Sequence, residues 1–402
     1  MTFKRWGRGI LATAVSAGLG FGLASCSVSN TVDYLYMLSS KNNPGVINVY
    51  RVDSQTGALA QIPNSPYPAG RNPLGIAIAP NGLTLYVVNH DDNTIESFGI
   101  GTDAKLYPQH TYTTPGSEPV ALAINAAGTF LFVVDYYQPV YTDLNPGPGA
   151  VVVYPINSDG SLGTAVAQNF SSTQSESYYP LETAPVGINI VASGDEIFIT
   201  DLLLTTATGG TIGQGAVEAL SVSSSGVLTP VTGSPYPTGV TPNTLTTNPA
   251  GTYLYVTDTT QNELISYPIH SDGTLATSSA TTAATGSYPD GLTFDATGKY
   301  LYVVNRNSNN IQGYTIASGT GAPVAFGSFA TGAYPECVLV DPNLNTFVYT
   351  ADFEGVGSTG YRMDHSTGML SGTENSPYGG TGQATCLAAT PHNKSSQSKG
   401  TT

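Results

Sequence analysis

Leu85-Tyr86-Val87-Val88-Asn89 decides the fold, because near-copies of it return along the whole chain. They read Leu131-Phe132-Val133-Val134-Asp135, Ile197-Phe198-Ile199-Thr200-Asp201, Leu254-Tyr255-Val256-Thr257-Asp258 and Leu301-Tyr302-Val303-Val304-Asn305. Val348-Tyr349-Thr350-Ala351-Asp352 is a degraded copy, and Leu35-Tyr36-Met37-Leu38-Ser39 is one that ends in serine. Each copy is apolar on successive residues instead of alternate ones, which marks a strand covered on both faces.

Around each copy the same longer unit recurs. A Pro-led strand and a turn precede it; a variable loop, a third strand, a short hairpin and a fourth strand follow. The leading prolines are Pro73, Pro119, Pro185, Pro242, Pro289 and Pro335, at spacings of 46, 66, 57, 47 and 46. Insertions at Tyr136 to Gly149 and Leu202 to Gly215 account for the two long spacings. Both follow the second strand, so both extra loops are expected on one face. Turns such as Asn157-Ser158-Asp159-Gly160 and Ser271-Asp272-Gly273 carry residues that tolerate the positive φ of tight hairpins.

Units of this size, covered on both sides, cannot each form a separate core. Stacking them radially in a closed ring solves the problem. The sequence therefore specifies an all-β, seven-bladed β-propeller of four-stranded antiparallel blades. Gly382 to Thr390 reads as a first strand with nothing after it, and the chain opens near Tyr34 with a second strand that has no first. The C-terminal strand is thus expected to complete the N-terminal blade, giving a propeller over 31–391. Residues 392–402 are polar and low in complexity and are expected to form a disordered tail.

The N-terminus reads as a targeting signal. Lys4, Arg5 and Arg8 are followed by the apolar run Gly9 to Gly22, and Leu23-Ala24-Ser25-Cys26 closes it with small residues before a cysteine. This resembles the lipobox of bacterial lipoproteins, which implies a signal peptide at 1–25, a lipidated Cys26, a linker over 26–30 and anchoring in the bacterial cell envelope, facing the periplasm or the exterior. Cleavage would leave 9 Lys+Arg of the 12 against 27 Asp+Glu, a charge of −18. So acidic a surface excludes nucleic acid as a partner, and contact with a membrane is expected only through the lipid. A monomer is expected.

The Tyr-Val-Val-Asn and Tyr-Val-Thr-Asp copies, followed by Asn93-Thr94-Ile95 or Asn309-Asn310-Ile311 and a Gly-bearing turn, resemble the YVTN-repeat propellers. Within that group the chain is most similar, from Thr31 to about Pro391, to the bacterial lactonase family that includes 6-phosphogluconolactonase. The resemblance implies a ligand site around the mouth of the central channel, with His and Arg on the first strands to polarise a lactone carbonyl and activate water. This chain departs from that pattern. It has Glu336-Cys337 where the family would carry Arg-His, Ala184-Pro185-Val186 in place of His-Xaa-His, and Thr385 in place of Arg.

The residues after the leading prolines are Leu74, Val120, Val186, Asn243, Asp290 and Glu336, with Thr385 in the same register of the closing strand. They form a ring with one apolar arc and one polar arc. Asp290 and Glu336 are candidates for catalysis and, with Asn243, Thr385, Arg71, His90 and Arg306, for ligand binding; their oxygens also suit a Ca²⁺ ion. No other cofactor is expected. Arg71, His90 and Arg306 are the cations of the mouth face, with Asp91 and Asp92 beside His90. The Asn and Asp residues that end the second strands are expected to bond the backbone of the loops they begin. Cys337 and Cys386, at equivalent positions of neighbouring units, leave two readings open, a buried pair of free thiols or a disulfide across the closure. There is no haem, zinc, phosphate-loop or serine-elbow motif. Two functions compete: a module binding a small molecule, glycan or protein at the channel mouth, with Tyr136, Tyr137 and Tyr141 as aromatic contacts, and a lactone hydrolase in which the acidic pair activates water.

Overall fold

The computed structural model describes residues 30–171, 174–204 and 213–392. The expected signal peptide, Cys26 and most of the 26–30 linker, the centre of the Leu202 to Gly215 insertion, and the tail beyond His392 lie outside these residues. Among the described residues the regular elements are strands and two single-turn 3-10 helices, His90–Asp92 and Thr277–Ser279. No described helix is long and apolar enough to cross a membrane.

The strands form a seven-bladed β-propeller. Blade 2 shows the plain unit: Pro73–Ile78, Thr84–Asn89, Thr94–Ile100 and Leu106–Thr113 pair antiparallel in that order from the inside outward. Blade 1 is composite. Ala384–Pro391 pairs with Thr31–Ser39, Leu35 opposite Ala389, so the last strand closes the ring as expected. His392 is held as well, its backbone N–H donating to the Val32 carbonyl (3.0 Å) and its ring edge-on to Tyr34.

The tyrosine of the repeat has a clear task. Its ring is buried between blades, and its hydroxyl donates to a backbone carbonyl in the turn between the third and fourth strands of the next blade. Tyr86 bonds Gly160 (2.7 Å), Tyr255 Gly321 (2.8 Å), Tyr302 Gly368 (2.7 Å), and Tyr349 Gly57 (2.7 Å) across the closure. Each of these acceptors is a glycine at positive φ, where the turn presents its carbonyl to the neighbouring ring, and the longer tie of Tyr36 in blade 1 goes to Ala104 (3.4 Å), also at positive φ. Blades 3 and 4 carry Phe132 and Phe198 instead and have no such hydroxyl. In blade 3 the corresponding turn carbonyl of the next blade, Gly226, is bonded instead by Gln168, fully buried, whose amide donates to it (3.1 Å) and accepts from the Leu228 N–H (2.8 Å).

Gln168 belongs to an element that the repeat did not announce. In blade 2 Asn89 pairs with Thr94, five residues on; in blade 3 Asp135 pairs with Ala150, fifteen on. The Tyr136 to Gly149 loop thus explains only about half of the long spacing. The rest is a hairpin, Gln168–Ser171 with Gln174–Glu176, that interrupts the outer strand of blade 3. That outer strand resumes at Tyr179 and runs without a break into the inner strand of blade 4, ending at Ile190, so blades 3 and 4 form one continuous sheet.

The residues ending the second strands bond backbone, but mainly that of another loop than expected. Asn89, Asp135 and Asn305 accept from the N–H groups of Gly70 (3.1 Å), Gly116 (3.0 Å) and Gly286 (3.0 Å), each in the loop that leads into the inner strand of the same blade. Asp258 alone does both, accepting from Thr241 on that side and from Thr260 and Gln261 in the loop it begins. The leading loop passes directly over the end of the second strand, which puts its N–H groups within closest reach.

Candidate functional site

All seven inner strands line a central cavity of about 320 Å³. The ring read from the sequence is present at its wall. Leu74, Val120 and Val186 form one arc, and Asn243, Asp290, Glu336 and Thr385 the other. Neighbouring inner strands are tied by side chains, since no sheet hydrogen bonds join them. The Thr244 hydroxyl donates to the Asp290 carbonyl (2.5 Å), and the Thr385 hydroxyl to the Pro73 carbonyl (2.8 Å). Thr385 therefore serves the closure of the ring with its one proton.

Asp290 accepts from the Asn243 amide at 3.0 Å, and Glu336 pairs with the Arg306 guanidinium, Nη2 to Oε1 at 2.9 Å. Arg306 reaches over from the loop after the second strand of blade 6, and its backbone N–H is pinned to the Tyr288 carbonyl (2.8 Å). Its guanidinium lies 5.6–5.8 Å from the ring centres of Tyr288, Tyr334 and Phe353, positions at which a cation is drawn to the ring faces. The Arg306 Nε is buried with no partner. Repetition explains the cage: Tyr288 and Tyr334 each precede a leading proline, and Phe353 occupies in blade 7 the place that Arg306 holds in blade 6.

Both carboxyl groups titrate far from their usual range. Burial raises Asp290 to about 7, with Arg306 and the Asn243 hydrogen bond pulling the other way. Glu336 is raised to about 8 by burial and by Asp290, against the pull of Arg306. Near neutral pH the cluster of two carboxyls and one guanidinium is therefore close to uncharged and offers both donors and acceptors. Two acids of raised pKa in a cleft with an adjacent cation mark a candidate functional site.

The Ca²⁺ expectation meets an obstacle here. The positive charge beside Glu336 is the guanidinium of Arg306, and Asp290 is engaged by an amide. Among the described residues no group of three or more His, Cys, Asp or Glu side chains is arranged to hold a metal ion.

Arg71 and His90 do not line the cavity. Arg71 is exposed and pairs with Asp92, Nε to Oδ1, within blade 2. His90 stands between Asp91 (2.7 Å) and Glu118 of blade 3 (3.8 Å). The Cys337 and Cys386 sulfurs are free thiols 3.0 Å apart, both at the cavity wall.

Comparison with known proteins agrees with the seven-bladed fold. The family described as lactonase, 7-bladed beta-propeller matches residues 35–180 and 215–340. The chain belongs to this lactonase family of seven-bladed propellers. Among solved structures it resembles the periplasmic gluconolactonase PpgL of Pseudomonas aeruginosa, at 19% identity and a TM-score of 0.72 over 89% of this chain and 99% of that one. A candidate 6-phosphogluconolactonase of Bacteroides uniformis aligns at 18% identity and a TM-score of 0.71 over 90% and 100%, and another of Bacteroides fragilis at 18% and 0.69 over 90% and 99%. At such identities the likeness shows the fold alone. No curated protein sequence matches the chain.

For this lactonase-family chain, Asn243, Asp290, Glu336 and Arg306 are the sequence-derived candidates that the structure brings together. The aromatic cage was not read from the sequence. A signal for it existed, in two tyrosines one residue before the leading prolines of adjacent blades.

Proposed function

We propose that the protein is a binding module for a small, uncharged, polyhydroxylated ligand, of the class of a sugar or sugar lactone, seated at the channel mouth over blades 5 to 7. The observation that carries this reading is Asn243, Asp290 and Glu336 side by side on the cavity wall, with Arg306 paired to Glu336 and Tyr288, Tyr334 and Phe353 gathered around its guanidinium. Hydroxyl groups need paired donors and acceptors, and aromatic faces suit the C–H faces of a sugar ring. A phosphorylated ligand fits less well. Its dianion would need free cations, and the only guanidinium of the cluster is already committed to Glu336. Exposed Val140, Leu144 and Val356 stand on loops of the same face and could contact a larger partner such as a glycan or protein.

We propose further that the mature protein is lipid-anchored at Cys26 in the bacterial cell envelope, supported by Lys4, Arg5, Arg8 and the Leu23-Ala24-Ser25-Cys26 run. The mass of the N-terminal peptide from membranes tests this: an acylated Cys26 supports it, and an intact Met1 refutes it.

Hydrolysis of a lactone is a second reading, favoured by one observation. Asp290, titrating near 7, is poised as a general base, and Arg306 is the kind of group that stabilises a developing oxyanion. Purified mature protein would be assayed for turnover of neutral and phosphorylated lactones and, by calorimetry, for binding of neutral sugars and glycans. Saturable binding without turnover supports the module. Turnover abolished by both Asp290→Asn and Glu336→Gln replaces it with the hydrolase. Binding confined to phosphorylated compounds contradicts the module.

A further inference from the structure

Around the cavity, the residue one step deeper than the polar ring is Gly75, Ala121, Gly187, Thr244, Gly291, Cys337 and Cys386 in turn. The register is crowded. A Cβ on Gly75 would come within 2.5 Å of Leu122, and one on Gly291 within 2.6 Å of the Glu336 carbonyl. Every neighbouring pair in this ring therefore includes a glycine or an alanine, with one exception. Where blade 7 meets the closing strand, two cysteines face each other with sulfurs 3.0 Å apart. Packing alone does not ask for two thiols at the tightest register of the channel.

The place is also the one where the ring is weakest by construction. Ala384–Pro391 is separated from the rest of blade 1 by the whole chain, and it is hydrogen-bonded in a sheet only to Thr31–Ser39. Toward blade 7 it has packing and side-chain contacts, including the Leu387 N–H donated to the Cys337 sulfur (3.3 Å).

We propose that Cys337 and Cys386 form a disulfide that staples the closing strand to blade 7, made by exchange with a low-molecular-mass disulfide that enters through the channel. Cys386 is the attacking group. The hydrogen bond from Cys337 holds its thiol below the usual pKa, while Cys337 itself is raised. The Cys386 thiolate attacks one sulfur of the oxidant and expels the other half as a thiolate. Cys337 then loses its proton to that thiolate and attacks the Cys386 sulfur of the mixed disulfide, expelling the second half. Two thiols are oxidised, one small disulfide is reduced to two thiols, and protons balance. Closing the loop from 337 to 386 restricts the unfolded chain and forbids separate peeling of the last strand.

The test uses the purified mature protein equilibrated in cystamine and cysteamine mixtures, alkylated, digested and mapped by mass spectrometry, with thermal melting in parallel. Cys337→Ala and Cys386→Ala are the controls, alanine being native at this register in Ala121. The expected result is a cross-linked peptide joining 337 and 386 in the oxidising mixtures and a melting temperature several degrees above that of the reduced protein. Both alanine variants should melt at the same temperature in either mixture. Thiols that stay open to alkylation in pure cystamine, a stable cysteamine adduct in place of the cross-link, or a cross-link that leaves melting unchanged would each overturn the staple.

Discussion

Blades 3 and 4 differ from blades 5 to 7 in almost every respect that the repeat leaves free. In blades 3 and 4 the channel positions are Val120 and Val186, the second strands carry phenylalanine, the loops are long and the two sheets are continuous. In blades 5 to 7 the units are near 46 residues, the tyrosine ties are intact, and the channel positions are Asn243, Asp290 and Glu336. Val120 and Val186 show that the fold accepts plain hydrocarbon at this register. Two partly buried carboxyls in the other arc carry a desolvation cost that the ring does not demand. A ligand at the proposed site would account for them.

The contrast can be broken most sharply at Arg306. Replacing it with alanine leaves Glu336 and Asp290 facing each other without a cation, and the affinity for a neutral sugar or lactone should fall by about 100-fold in calorimetry. An unchanged affinity would make the cluster incidental.

A second test concerns the cost of buried acid in the irregular half. Asp201 is fully buried, neither of its oxygens has a partner, and burial together with Glu218 and Glu182 pushes its pKa well up; Glu218 is itself raised to about 8. A carboxyl raised in the folded state favours folding while protonated, and that contribution is lost as pH rises through the folded pKa. Stability should therefore decline from about pH 5 toward pH 9. Asn89 and Asn305 hold the equivalent position in other blades, so Asp201→Asn should stabilise the protein by about 1–2 kcal/mol at pH 8 and by much less at pH 5, read from urea midpoints. Equal effects at both pH values would contradict the assignment.

Smaller still is the tyrosine tie. Tyr302→Phe leaves the Gly368 carbonyl without its donor and should cost about 1 kcal/mol of stability. The smallest effect belongs to the apolar arc: Val120→Thr should leave ligand affinity within about a factor of two, and a larger loss would move the site across the channel.

These differences also show what a sequence of this kind reveals. Leu85 to Asn89 and its copies were legible because every blade repeats the same burial on both faces, and the composite first blade followed from the mismatched ends. The Gln168 hairpin has no counterpart in other units, so no spacing could separate it from the Tyr136 to Gly149 loop. The terminal Asn and Asp were legible as backbone partners, yet which loop they bond depends on where the leading loop crosses them. Asp290 and Glu336 were legible as neighbours. Arg306 could be placed on the mouth face, but its pairing with Glu336 depends on the direction of a long side chain steered by three rings from two blades.

The most direct test of the account is a crystal structure of the protein soaked with a neutral sugar lactone or the sugar that calorimetry selects. The account predicts a ligand at the channel mouth, hydrogen-bonded to Asp290, Glu336 or Arg306 and lying against Tyr288, Tyr334 or Phe353. A ligand seated over Leu74, Val120 and Val186, or outside the channel altogether, would contradict it.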